Sequence, residues 1–162
     1  MLKTPKGLEL PEIPLDKKYR TSTKALLSRI NTIYKGLYKK FGEAGLDLIQ
    51  EVSHTYGKQV AEFAKKKMGN PTPQEVGLYL LRIFSMIDCE GEVSEFSDDK
   101  VVIKLYQCPY PFDDPKICQA HTTMERTLVE ELNKDLEYVI SESIPSGGKY
   151  CVHVVKWKEK NR

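Results

Sequence analysis

From Thr23 onward, Leu26, Leu27, Ile30, Ile33, Tyr34, Leu37, Tyr38 and Phe41 recur with the period of an amphipathic helix. Gly42 and Gly45 interrupt that run, and Leu46, Ile49, Val52, Tyr56, Val60, Phe63 and Ala64 predict a second helix. Gly69-Asn70-Pro71 closes it in the usual order of glycine then proline. Thr72-Pro73-Gln74-Glu75 has the spacing of a capping box and opens a third helix, with Val76, Leu80, Ile83, Phe84 and Ile87 inward. After Cys89 the period changes from helical to alternating, and 90–97 and 101–107 flank Asp98-Asp99-Lys100 as a hairpin. Asp114-Pro115, an acceptor followed by proline, starts a fourth helix that runs to about residue 134. Its inward stripe is Ile117, His121, Met124, Leu128 and Leu132, which leaves Glu125, Glu130 and Glu131 on a solvated face. A second hairpin follows, 137–144 and 150–158 around Pro145-Ser146-Gly147-Gly148-Lys149. Three helices, two strands, a helix and two strands predict an α+β domain: an antiparallel sheet of two hairpins with helices packed on one face. Residues 1–20, with Pro5, Pro11 and Pro14, read as an extended N-terminal arm, and 21–162 as a single domain.

Composition narrows the class. The chain has 162 residues, 40% of them hydrophobic and 30% charged, as in a globular domain able to bury its own core. A net charge of +2 gives no electrostatic footprint for nucleic acid. Lys65-Lys66-Lys67 and the basic 158–162 tail read as a solvated helix end and a terminus. No apolar run is long enough to span a membrane, and no signal-peptide core opens the chain, so the expected location is cytoplasmic. In that compartment four cysteines point to metal or redox chemistry rather than a disulfide framework.

Those thiols carry the candidate chemistry. Cys108, Cys118, His121 and Cys151 are separated by 9, 2 and 29 residues, and Cys118 and His121 are neighbours on one helix surface. Three thiolates and an imidazole would complete a tetrahedral zinc site, although the spacings match no common finger. Two other readings use the same residues. Cys118 and Cys151 as buried thiols with His121 as a hydrogen-bonded core histidine is one; a redox thiol at Cys118, activated by the helix N-terminus, is the other. His153 shares a strand face with Cys151 and is a spare ligand, while Cys89 reads as packing and His54 as exposed or capping. The chain has no phosphate-cradling loop, dinucleotide fingerprint, paired-histidine zinc-protease motif or nucleophile elbow.

Four short stretches give the chain a family resemblance: Tyr56-Gly57-Lys58, Tyr106-Gln107-Cys108-Pro109, Cys118-Gln119-Ala120-His121 and Gly147-Gly148-Lys149-Tyr150-Cys151. Together they resemble the 4-vinyl reductase domain family, a group of small-molecule-binding domains. Its fold is similar to that of haem nitric-oxide sensor domains and of Golgi trafficking subunits. The resemblance implies helices on an antiparallel sheet, a ligand cavity between the layers and a homodimer. Some members hold zinc on a cysteine pair around the turn before the last strand. Cys151 matches the second cysteine of that pair, Ser143 stands at the first, and Gly148 replaces the turn aspartate. The resemblance does not carry a reductase activity, since nothing in the chain recognisably binds a hydride donor.

The sequence therefore predicts a small-molecule-binding, sensor-like domain with a zinc site at Cys108, Cys118, His121 and Cys151, and an apolar or aromatic ligand. A metal- or cysteine-dependent enzyme and a dimeric scaffold are the alternatives it leaves open.

Overall fold

A computed structural model describes residues 12–159. Helix α1 spans Leu15–Phe41, α2 Glu43–Met68 and α3 Pro73–Met86. Strands β1 (Gly91–Phe96) and β2 (Lys100–Leu105) form the first hairpin. Helices α4 (Pro115–His121) and α5 (Thr123–Leu132) follow, then β3 (Leu136–Glu142), a 3₁₀ turn (Ile144–Ser146) and β4 (Cys151–Trp157). The α+β class, the antiparallel sheet and the helix-covered face are as the pattern predicts. Two boundaries differ. Residues 15–20 of the expected arm are already helical, and 1–11 lie outside the described residues. The expected fourth helix is two abutting helices meeting at Thr122.

Local signals explain the starts. Thr72 and Glu75 close a capping box, each side chain taking the other's backbone N–H. The Asp114 carboxylate accepts from the N–H groups of Lys116 (2.8 Å) and Ile117 (3.4 Å), fixing the first turn of α4. At Gly42 the chain turns between α1 and α2 with φ 59°, a region that side chains other than glycine rarely adopt.

The sheet order is β1-β2-β4-β3, antiparallel throughout, so the last strand inserts between β2 and β3. Alternate residues face the helices. Val101 pairs with Val155 and Val155 with Tyr138; Ile103 pairs with His153 and His153 with Ile140; Leu105 pairs with Cys151. Leu80 and Phe84 of α3 and Leu128, Val129 and Leu132 of α5 cover these rows to make the main core. Full burial of each such aliphatic side chain contributes about 1.5–3 kcal/mol. A second core lies beyond it, where α1, α2, α4 and the loop before α4 bring together Leu46, Ile49, Phe112, Ile117, Cys118 and Ala120.

Helix α5 is sandwiched, with α2 on one side and β3 on the other. It therefore buries Thr123, Glu125 and Thr127 as well as Leu128, Val129 and Leu132. The approach of α2 depends on Gly57, where a Cβ would lie 2.6 Å from the Met124 carbonyl oxygen and 2.9 Å from the Thr127 Cβ.

Candidate functional site

The expected metal ligands share a neighbourhood but do not converge on one point. Cys151 belongs to the main core and half-buried Cys89 packs against it, whereas Cys118 and half-buried Cys108 belong to the second. Cys118 faces a groove of about 430 Å³ between α4–α5 and β3, with Arg126, Tyr138 and Ser143 on its walls. Cys108 borders a different groove of about 510 Å³, between α1 and the loop before α4, with Leu27, Asp88 and Pro111. All four cysteines are free thiols.

His121 packs among aromatic side chains. Its imidazole is enclosed by three aromatic rings, with centroid separations of 4.2 Å to Tyr110, 5.1 Å to Phe112 and 5.8 Å to Tyr34. Among the described residues no group of three or more His, Cys, Asp and Glu side chains is disposed to hold a metal ion. The residues thus do not fit the expected zinc centre of Cys108, Cys118, His121 and Cys151. The reason is geometric. Cys118 and His121 stay neighbours on α4, about 60° apart around its axis, but the sulfur lines the groove beside β3 while the imidazole packs among the rings of Tyr34, Tyr110 and Phe112.

The redox reading meets a second physical obstacle. Burial pushes the Cys118 thiol up to about 12, and the nearby Cys108, Cys151 and Glu125 push the same way. Desolvation outweighs the N-terminal field of the seven-residue α4, so Cys118 stays a thiol and not an activated thiolate. Cys89 is raised to about 12 by burial as well, and Cys108 and Cys151 are raised in the same direction. His153 is not a spare ligand: its Nδ1 hydrogen-bonds to the Tyr138 hydroxyl inside the main core. His54 is exposed, as one of its two readings expects, and its Nδ1 bonds to the Thr127 hydroxyl at 2.9 Å, stitching α2 to α5.

What the fold does assemble is a buried cluster of polar side chains with aromatic walls, a chamber whose members line neither of the grooves beside the cysteines. Tyr34 comes from α1, Ser53 from α2, His121 from α4, Glu125 from α5, and Tyr110 and Phe112 from the loop before α4. The three aromatic rings stack, Tyr110 on Phe112 at 5.3 Å and Phe112 on Tyr34 at 6.1 Å. Asn31 donates to the Pro111 carbonyl oxygen at 2.8 Å, and Lys35 pairs with Asp113 at 2.7 Å. Helix α1 thus fastens the loop over the chamber at two points.

Five buried atoms of this region lack a close hydrogen-bond partner within the protein: Asn31 Oδ1, Ser53 Oγ (with the Tyr34 hydroxyl nearby), both nitrogens of His121 and Glu125 Oε2. Each such group costs about 1–3 kcal/mol, a concentration that ordinary cores avoid. Desolvation holds His121 down at about 4, so the ring is neutral, and pushes the Glu125 carboxyl up to about 7. Glu125 was assigned by the helical period to the solvated face, yet it is only 6% exposed. Its position one turn from His121 was the available signal; backbone bonding from Thr122 to Cys118 and from Arg126 to Thr122 carries the helical path across the junction.

Comparison with known proteins addresses the fold alone. No family model and no curated protein sequence matches the chain. Among solved structures, a trafficking protein particle complex subunit 3 from Naegleria fowleri, covalently bound to palmitic acid, is similar with a TM-score of 0.57. That similarity covers 88% of this chain and 99% of the subunit at 13% sequence identity. The trafficking-subunit fold is therefore matched, whereas the resemblance to 4-vinyl reductase domains rests on the short motifs alone. Among the described residues no helix is long and apolar enough to cross a membrane.

Proposed function

We propose that this chain is a small-molecule-binding domain whose ligand enters the chamber between α1, α2, α4–α5 and the loop at 107–114. The carrying observation is the set of five unpartnered buried polar atoms beside the stacked rings of Tyr34, Tyr110 and Phe112. Binding sites characteristically combine apolar and aromatic walls with a few convergent polar groups. The ligand accordingly has an apolar or aromatic body and a polar head. The Naegleria subunit, which holds palmitic acid, supports the capacity of such a fold to take an apolar chain. Entry requires the loop to part from α1 at Asn31–Pro111 and Lys35–Asp113. Zinc has no part in this reading, because the imidazole that would complete its ligand set belongs to the chamber.

Native mass spectrometry of purified protein, before and after denaturation, tests the proposal together with His121→Phe. The expected result is a released small molecule from the wild type and its loss from the variant. A wild type that carries and accepts no small molecule, with His121→Phe merely more stable, would make the chamber an imperfect core.

A second reading, the dimeric scaffold, has one observation of its own. Helix α2 exposes Leu48, Val52, Tyr56 and Phe63, the last at 72%. They lie at helical spacing along about 22 Å of one helix face. A second copy is the occupant that fits, since one stripe can pack antiparallel on itself across a two-fold axis.

A further inference from the structure

We propose that the chamber selects a protonated amine carried on an apolar or aromatic body, with Glu125 as its counter-ion. This rests on the chamber being a ligand site and names the class it takes. Of its unpartnered atoms, Asn31 Oδ1, Ser53 Oγ, Glu125 Oε2 and one nitrogen of neutral His121 are all able to accept a hydrogen bond. The other imidazole nitrogen carries the hydrogen. A site so rich in acceptors calls for a ligand head rich in donors, and a primary ammonium supplies three N–H groups.

The walls point the same way. Tyr34, Tyr110 and Phe112 stack on one another and all three meet His121, so π-surface borders the polar atoms. A cation against such rings is attracted by their negative faces, more so once desolvated. Among the described residues no ion pair involves Glu125, so the protein supplies no cation of its own to its carboxylate. Neutral heads satisfy the site less well. An alcohol brings one donor and leaves the acid unpaired, and a carboxylate meets acceptors and no positive charge.

Benzylamine, benzyl alcohol and benzoate share a body and differ in the head, and hexylamine, hexanol and hexanoate repeat the comparison on a linear chain. Calorimetric titration of the full chain at neutral pH should give an amine affinity at least about tenfold above that of the matched alcohol, the order expected of a charge-assisted hydrogen bond. The carboxylates should bind weakest. In Glu125→Gln the amine-to-alcohol ratio should fall to about one, and Tyr110→Leu, which removes a π-face and keeps the acid, should lower it severalfold. Circular dichroism and urea unfolding check that both variants fold. An alcohol or carboxylate that binds the wild type as well as its amine overturns the amine assignment and leaves the ligand site standing. If none of the six compounds binds the folded wild type, the ligand site falls as well.

Discussion

Replacing Glu125 by Gln isolates a single titration inside the fold. The side chain is buried in the α2–α5–β3 sandwich, and desolvation raises its carboxyl from the ordinary 4.5 to about 7. The folded chain therefore keeps this proton over a window in which the unfolded chain has released it. Stability from the group is complete below about pH 4.5 and is lost as pH rises through about 7. The gap between 4.5 and about 7, at about 1.4 kcal/mol per unit, makes that loss about 3 kcal/mol. His121 and His153 act in the opposite sense. Both are held at about 4 by burial, so stability falls as pH drops below 6.5, where the unfolded imidazoles take up protons. Two histidines outweigh one acid below about 6.5, and only the acid acts above it, which sets the wild-type maximum near pH 6.5. The phenols around the acid (Tyr34, Tyr110 and Tyr138) are raised by burial and stay neutral throughout. Subtracting the Glu125→Gln curve removes the histidine terms, because both proteins share them. Urea unfolding from about pH 4.5 to 8 should show the wild type losing about 3 kcal/mol relative to the variant across that range. Parallel curves, within about 0.5 kcal/mol, would refute the reasoning and mean that the carboxyl is solvated or paired.

Other substitutions read the packing directly. Gly57→Ala, which puts a methyl 2.6 Å from the Met124 carbonyl oxygen, should cost about 1–3 kcal/mol in chemical denaturation. Gly36→Ala in α1, with nothing within 4 Å, should gain about 0.5–1 kcal/mol. Iodoacetamide at neutral pH should modify half-buried Cys108 and Cys89 before buried Cys118 and Cys151, and prior treatment with a chelator should leave that order unchanged, as peptide mapping will show. Sedimentation should find a dimer, and Val52→Lys with Phe63→Lys should shift it to the 18.6 kDa monomer with the fold intact.

Local chemistry was readable because it depends on neighbours in sequence. Thr72 and Glu75 form the capping box that their spacing announces, and Asp114 caps α4 ahead of Pro115. The switch from a helical to an alternating period after Cys89 marks where the sheet begins, and the alternation in β2 and β4 is the burial pattern observed. The insertion of β4 between β2 and β3 was not readable, since strand order follows from long-range pairing and no residue of either hairpin declares it. Residues 15–20 were read as extended because prolines upstream set the tone, yet Pro14 itself stands at the helix start, a position where proline is tolerated.

The misreading of the site has a more instructive cause. A helical period sorts residues into inside and outside on the premise that a helix buries one stripe. Helix α5 buries two, against α2 and against β3, so Glu125 falls outside by period and inside by packing. Helix α4, packed against α2 and the 3₁₀ turn, separates two of the expected ligands. Proximity in sequence put Cys118 and His121 on one helix, but the groove beside β3 takes the sulfur and the aromatic chamber takes the imidazole. Soft ligands close in sequence make a metal site only if their directions converge, and one helix offers two directions when it is wedged between two layers. The polar groups left unpaired where α4 and α5 pack beside α1 and α2, His121 and Glu125 foremost, are where the chain departs from ordinary core chemistry. A fold that retains a buried acid and a neutral imidazole among stacked rings, at about 1–3 kcal/mol for each unpaired group, forgoes stability that a leucine would restore. That cost is the physical reason for placing the ligand there and not at the thiols.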